Sequence, residues 1–394
     1  MHRIFRAQLK KASANHIISL LFLISILFFF GSSCMRNTNI AQSPFDNPDH
    51  HYRLGIQQIK NGDVEASKKS FSRAKALRHD FALADVGLAL AALTQNEFHS
   101  AEKHIAIALR QDRKCFQAHI AAGKLKMLRG IESKLPGNDW IQNSLKSFNQ
   151  ALKLSKNNPE ILYNIGEAYL ASGNLNDSQI IFKSILNLNK ELWSIKARKR
   201  LKFAQEIVRY APGSTIGKQI GLKAEISRAE MAILLIEELK LYHILEEKNT
   251  SFLSNHINSE VASSQHMRVP QHWANGWVNL ILEIGVPGLG LFPDGDYHHD
   301  QDLSRVSCAL IISFLIDSLS EKPKNLSAHF GEVSTFPDLK SDHYAYPASS
   351  IAVKLGLLNV KNIRTGNFDP LGPVSGLEAL GIIRRIQDEF RIEF

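Results

Sequence analysis

From Pro48 onward, small and apolar positions recur with a period of 34 residues. Gly55, Gly62, Ser67, Phe71 and Ala74 correspond to Ala89, Asn96, Ala101, Ile105 and Ala108. A third copy starts at Phe116 with Gly123 and Gly130. It resumes at Ser144, Phe148 and Ala151 after an insertion around Leu135–Asp139. The fourth is the cleanest, with Gly166, Tyr169, Gly173, Ser178, Phe182 and Ile185. The pattern predicts pairs of antiparallel helices. Gly55, Ala89, Gly123 and Gly166 let the paired helices approach, Gly62 and Gly173 take the turn, and Phe71, Ile105, Phe148 and Phe182 fill the space between. One such pair cannot bury its apolar face alone, so the copies must stack.

A second period, of 71 residues, governs the C-terminal half. His272-Trp273-Ala274 recurs as His343-Tyr344-Ala345, Gly285 as Gly356, Gly295 as Gly366, and Leu303-Ser304-Arg305 as Val374-Ser375-Gly376. Part of the unit occurs a third time upstream, where Ile226-Ser227-Arg228-Ala229-Glu230 matches Leu303 to Ser307. Ser227, Ser304 and Ser375 each precede an apolar-periodic segment and read as helix N-caps. Glu230 and Glu378 stand three residues later, the spacing of a capping box, which Ser307 breaks in the middle copy. Repetition at this period means several copies of a small helical module, and it argues for binding or anchoring over one irregular catalytic domain.

Ahead of both periods, a basic stretch (His2 to His16) precedes an apolar run from Ile17 to Phe30. Fourteen helical residues rise about 21 Å, short of a hydrocarbon core of roughly 30 Å. A signal-peptide core is the better reading. It ends at Gly31-Ser32-Ser33-Cys34, and Met35 to Asn47 then reads as a polar tether.

Composition adds little to this. The 394 residues are 44% hydrophobic and 22% charged, as in a folded protein. Removing Arg3, Arg6, Lys10 and Lys11 with the leader takes the net charge from +9 to +5. That balance is compatible with an anionic wall or membrane surface without requiring one. Besides Cys34 only Cys115 and Cys308 remain, so there is no disulfide framework. The basic helix expected at 190–208 carries Lys190, Lys196, Arg198, Lys199, Arg200 and Lys202 around Trp193 and Leu201. It reads as a cap on the last repeat with a solvated face, and no accompanying motif points to nucleic acid.

Three resemblances follow from these residues. Residues 48–189 resemble four tetratricopeptide repeats (TPR). Residues 209–394 resemble three S-layer homology modules, at about 209–250 (truncated), 256–320 and 334–390. Residues 1–33 resemble a lipoprotein signal peptide, with Cys34 as the acylated residue, although Gly31 stands where that family has an aliphatic residue. The fold they imply is all-α, a helical-hairpin solenoid followed by a helical pseudo-trimer. They further imply a protein partner in the repeat groove, wall polysaccharide or peptidoglycan in the module grooves, a membrane held through the lipid, and the bacterial envelope as location. By motif position Arg228, Arg305 and Trp273 are the glycan-binding candidates, with Asp294 and Gly295 shaping a turn beside a groove. An Arg fork suits a sugar carboxylate, and a Trp face suits a sugar ring. The third copy departs, with Gly376 for the Arg and Tyr344 for the Trp, and the first copy lacks its front half.

Signals for chemistry are weaker. Asp294, Asp296, His298, Asp300 and Asp302 alternate as in a calcium loop, but His299 and Arg305 stand where Gly and Glu are required. His50-His51 and His298-His299 lack partners at zinc spacing. There is no Walker, dinucleotide or nucleophile-elbow motif. No metal, cofactor or catalytic residue is expected, and the chain reads as a non-enzyme. The competing readings are a structural surface-layer or envelope-assembly component that binds protein only, and an accessory to a wall-remodelling enzyme.

Overall fold

The computed structural model describes residues 40–41, 43–44, 46–133, 140–248, 272–320, 334–390 and 392. The signal peptide, Cys34, most of the tether, the insertion at 135–139 and the front of the second module lie outside them. The described residues form helices joined by turns and isolated bridges, with no strand among them. Two compact units divide at Leu125/Lys126.

The first unit holds α1 (Pro48–Lys60), α2 (Val64–Leu77), α3 (Ala82–Thr94), α4 (Phe98–Gln111) and the start of α5 (Phe116–Ser133). Asn47 caps α1, its side chain accepting from His50 N, with Pro48 in the first turn. Asp63 caps α2 in the same way through Ala66 N. Between the members of each pair, Gly62 (φ 83°) and Asn96 (φ 57°) take the left-handed turn, the two residue types that tolerate it best. Phe71 is fully buried, and its ring lies where a side-chain carbon on Gly55 or Gly87 would be. Contacts from α2 also hold the chain before α1, where Arg73 donates to the Asp46 carboxylate and to the Ile40 carbonyl. One charge sits inside. Asp85 is fully buried, with Lys75 Nζ and His104 Nδ1 both 2.8 Å from Oδ1. Burial pushes its carboxyl up, but the bonds from His104 and Lys75 outweigh that and hold it below the ordinary range.

The second unit begins within α5 and continues with α6 (Trp140–Leu154), α7 (Pro159–Ala171), α8 (Leu175–Leu186) and α9 (Glu191–Tyr210). Phe148 and Phe182 are fully buried, and Phe182 packs where Gly166 has no side chain. Gly173 takes the turn at φ 79°. Gly130, 34 residues after Asn96, does not take a turn. It lies inside α5, where the missing side chain admits the Trp140 ring, and the helix runs on to Ser133. α9 lays Ala197, Leu201, Ala204 and Ile207 against Leu170, Leu175, Phe182 and Ile185, and Arg200 forks onto Glu167 at 2.6 and 2.9 Å.

Beyond Ala211 come α10 (Thr215–Gly221), α11 (Arg228–Glu237), α12 (Leu241–Lys248), α13 (Asn275–Ile284), α14 (Arg305–Leu319), α15 (Tyr346–Lys354) and α16 (Gly376–Phe390). Ser227 and Ser304 cap α11 and α14, and the Ser375 hydroxyl accepts from Glu378 N. The reciprocal capping box is complete at α11, whereas the Glu378 carboxylate turns to Arg305. Side chains from α11, α13, α14, α15 and α16 share one core.

Candidate functional site

Three residues one position before those serines close a ring. Ile226 N donates to Val374 O (3.0 Å), Leu303 N to Ile226 O (2.8 Å), and Val374 N to Leu303 O (3.1 Å). All three are fully buried. They are the positions equated by the two sequence offsets, so the repeat in sequence is a cyclic repeat in space. Each helix start then bonds to the next loop. Arg228 N donates to Gln301 O, Arg305 N to Gly372 O, and Gly376 N to Lys223 O.

The two arginines continue the pattern through their side chains. Arg228 Nε donates to Tyr297 O (3.0 Å), Nη1 to Gly288 O (2.9 Å) and Nη2 to Gly290 O (2.5 Å). Arg305 Nε donates to Phe368 O (2.7 Å), Nη2 to Asn359 O, and Nη1 to the Glu378 carboxylate (2.9 Å). Phe368 and Asn359 lie 71 residues after Tyr297 and Gly288. The guanidinium of Arg228 stands over the rings of Phe292 and Tyr297, that of Arg305 over Phe368. Arg228 is 6% exposed and Arg305 1%. Each of their nitrogens is committed to this chain, and burial pulls the Arg228 guanidinium below its ordinary value. These side chains organise the loops of the following copy.

The aromatic candidates are placed differently. Trp273 is 54% exposed and Tyr344, its counterpart, 69%. Each stands beside the preceding histidine, His272 or His343, whose Nδ1 accepts from the backbone of Ala274 or Ala345. Trp273 also meets Trp277 edge-on, and Trp277 Nε1 donates to Glu237. Asp294 and Gly295 form the tight turn expected of them. Gly295 has φ 82°. The Asp294 carboxylate accepts from Asp296 N (3.0 Å) and lies 2.7 Å from His298 Nε2. The Asp296 backbone bond and then the His298 ring hold that carboxyl below its ordinary range. Among the described residues no group of three or more His, Cys, Asp or Glu is arranged to hold a metal ion.

Two contributors take roles that the sequence did not suggest. Asp338 accepts from Phe368 N (2.8 Å) and Asp369 N (2.7 Å), holding the turn that receives Arg305; a backbone nest of this kind has no spacing signature. His299 is 6% exposed, 4.4 Å from the His272 ring, and its Nε2 has no hydrogen-bond partner.

A family model described as TPR repeat matches residues 141–173, which span most of α6, all of α7 and the turn that follows. The crystal structure of a thermophilic TPR protein from Thermus thermophilus is similar at a TM-score of 0.37 and 15% identity, over 51% of this chain and 96% of that one. No curated protein sequence matches the chain. The N-terminal helical pairs thus include a TPR repeat, and TPR repeats point to protein–protein interaction.

Proposed function

We propose that this chain is an exported envelope protein, lipid-anchored through Cys34, whose C-terminal modules attach to wall polysaccharide or peptidoglycan while its helical repeats hold a protein partner. The observation that carries this reading is the ring of Ile226, Leu303 and Val374. Three copies related cyclically are what the resemblance to S-layer homology modules implies, and the first copy joins the ring despite its missing front half. Trp273 supplies the open apolar face a sugar ring needs. Arg228 and Arg305 serve that surface by holding the loops beside it. Attachment at both ends keeps the repeats near the wall by raising the local concentration of each site for its ligand.

Sedimentation with isolated wall sacculi, before and after secondary glycans are stripped, tests the anchoring. The chain from Ile40 pellets with untreated walls, and folded Trp273→Ala stays in solution. Should the folded wild type stay in solution with walls of its own host, anchoring fails and the modules become a protein-binding or structural element.

A further inference from the structure

Helix α9 buries one side only. The opposite side presents Leu192 and Ile195, 60% and 59% exposed, among the exposed Lys196, Arg198, Lys199 and Lys202. Two acids share this helix. Glu206 lies 3.9 Å from Lys202, and Glu191 opens the first turn. Arg200 is occupied by Glu167.

The charge of the chain is concentrated here. Of the formal +9, residues 1–39 carry +5 and Lys190–Tyr210 another +5, which leaves −1 for everything else. A cap on a repeat array needs only a polar outer face; acids and bases in equal number would satisfy that. The excess of one sign builds a local positive potential instead.

We propose that the outer face of α9 docks on an anionic phospholipid surface. Headgroup phosphates match the lysines and arginines, each of which gains attraction near such a surface. Two neighbouring aliphatic side chains at positions i and i+3 are rewarded by the acyl boundary, whereas a soluble polyanion offers them nothing. The helix lies on the surface: no helix among the described residues is long and apolar enough to cross a membrane. The docking needs neither the lipid on Cys34 nor the glycan, so it stands or falls apart from the function proposed above.

The test is co-sedimentation of the chain from Ile40, which keeps every contact described here, with vesicles of phosphatidylglycerol and phosphatidylcholine or of phosphatidylcholine alone. Binding is expected only with the anionic lipid and weakens with salt. Lys199→Glu with Lys202→Glu lowers it by about tenfold or more. Leu192→Ser with Ile195→Ser lowers it several-fold, with soluble polyglutamate competing poorly. In the chain from Ile40, a fluorophore at Ile195→Cys is quenched by nitroxide-labelled lipid. The proposal is overturned if the folded chain ignores anionic vesicles, or if charge reversal leaves binding unchanged. It is also overturned if the Leu192/Ile195 pair is indifferent and polyglutamate displaces the vesicles, which would make the partner an acidic polymer.

Discussion

Arg228 and Tyr297 bond to each other twice: Arg228 Nε donates to the Tyr297 carbonyl at 3.0 Å, and the Tyr297 hydroxyl donates to the Arg228 carbonyl at 3.2 Å. The exchange joins the start of α11 to the loop before α14. Burial and the Arg228 charge act oppositely on the phenol, and burial dominates, raising it above its ordinary value. It stays a donor across the physiological range.

Truncating this arginine takes the donor from three carbonyls, the buried one of Tyr297 and the part-buried ones of Gly288 and Gly290. At about 1–3 kcal/mol for an unsatisfied group, partly relieved by water, Arg228→Ala is expected to cost roughly 3 kcal/mol. Lys at 228 recovers little, because one ammonium cannot span three acceptors. Arg305→Ala costs about as much, since it also unpairs Glu378. Denaturant melts of the chain from Ile40 check this. Native-like stability of Arg228→Ala would mean that the clamp is incidental, and loss of wall binding at unchanged stability would restore a direct role in the ligand site.

His299 makes the same region sensitive to acid. Burial first, then the neighbouring His272 and Arg228, disfavours its charged form against the opposing pull of Asp296 and Asp300, so its folded pKa lies below the ordinary 6.5. The unfolded chain therefore binds the proton more readily. The stability that neutral His299 contributes is whole above about pH 6.5 and is lost as pH falls from there toward the folded value. Tyr297 packs on its ring, at 5.0 Å between centroids. Melting midpoints from pH 7.5 to 5 should fall less in His299→Phe than in the wild type. Parallel curves would place the acid sensitivity elsewhere.

How much of this was legible beforehand depends on whether a residue acts through its own chain neighbours. Gly62, Gly173, Gly295 and the three serine caps act within a turn or two, and their spacing carried their roles. Phe71 and Phe182 were readable as fillers because a small residue recurs at a set distance. The two arginines were not. A motif equates positions but does not say whether a guanidinium faces a ligand or the carbonyls of the next copy 60 to 70 residues on. Gly130 shows the same limit: in three copies a turn stands at its place in the period, whereas here the Trp140 ring fills the space of a missing side chain and the helix runs on.

The two buried thiols offer one probe for each compact unit. Burial raises the Cys115 thiol, and it pushes Cys308 up to about 12. Both are buried and unpaired. In a Cys34→Ser background each should react with a thiol reagent only through opening, slower than in the unfolded chain by about 10³ or more. Different rates at the two sites would show that the units open separately. Fast labelling of either in the native protein would contradict its burial.

Helix packing in the repeats can be probed at one pair. A side-chain carbon on Gly166 would lie 2.6 Å from the Phe182 ring. Gly166→Ala gains helix propensity, but overpacking should outweigh it by about 1–3 kcal/mol. Gly166→Ala with Phe182→Leu should be less destabilised than the sum of the single changes, because the smaller side chain vacates that space. Additive losses would mean that the two do not compete for the same volume.

The sharpest case is Gly376, which in sequence looks like a lost arginine. Its backbone approaches α10 so closely that an added side-chain carbon would lie 1.8 Å from the Ile220 carbonyl oxygen and 2.9 Å from the Gly221 α-carbon. Its N–H donates to Lys223 O (3.0 Å), which with the Ile226–Val374 bond holds the third copy against the first. The first copy has no recognisable loop for an arginine to enter, so the closure is made by backbone instead. Gly376→Ala must push two main chains apart, and a flexible side chain cannot yield there. The expected cost is about 3 kcal/mol or more, at the upper end of overpacking. Gly276→Ala, at a helical position with open space, should be neutral or mildly stabilising. Comparing the two melts separates closure from general glycine effects. If Gly376→Ala melts like wild type, the approach at Lys223 is loose and the third copy is held to the first by the Ile226–Val374 bond and the shared core.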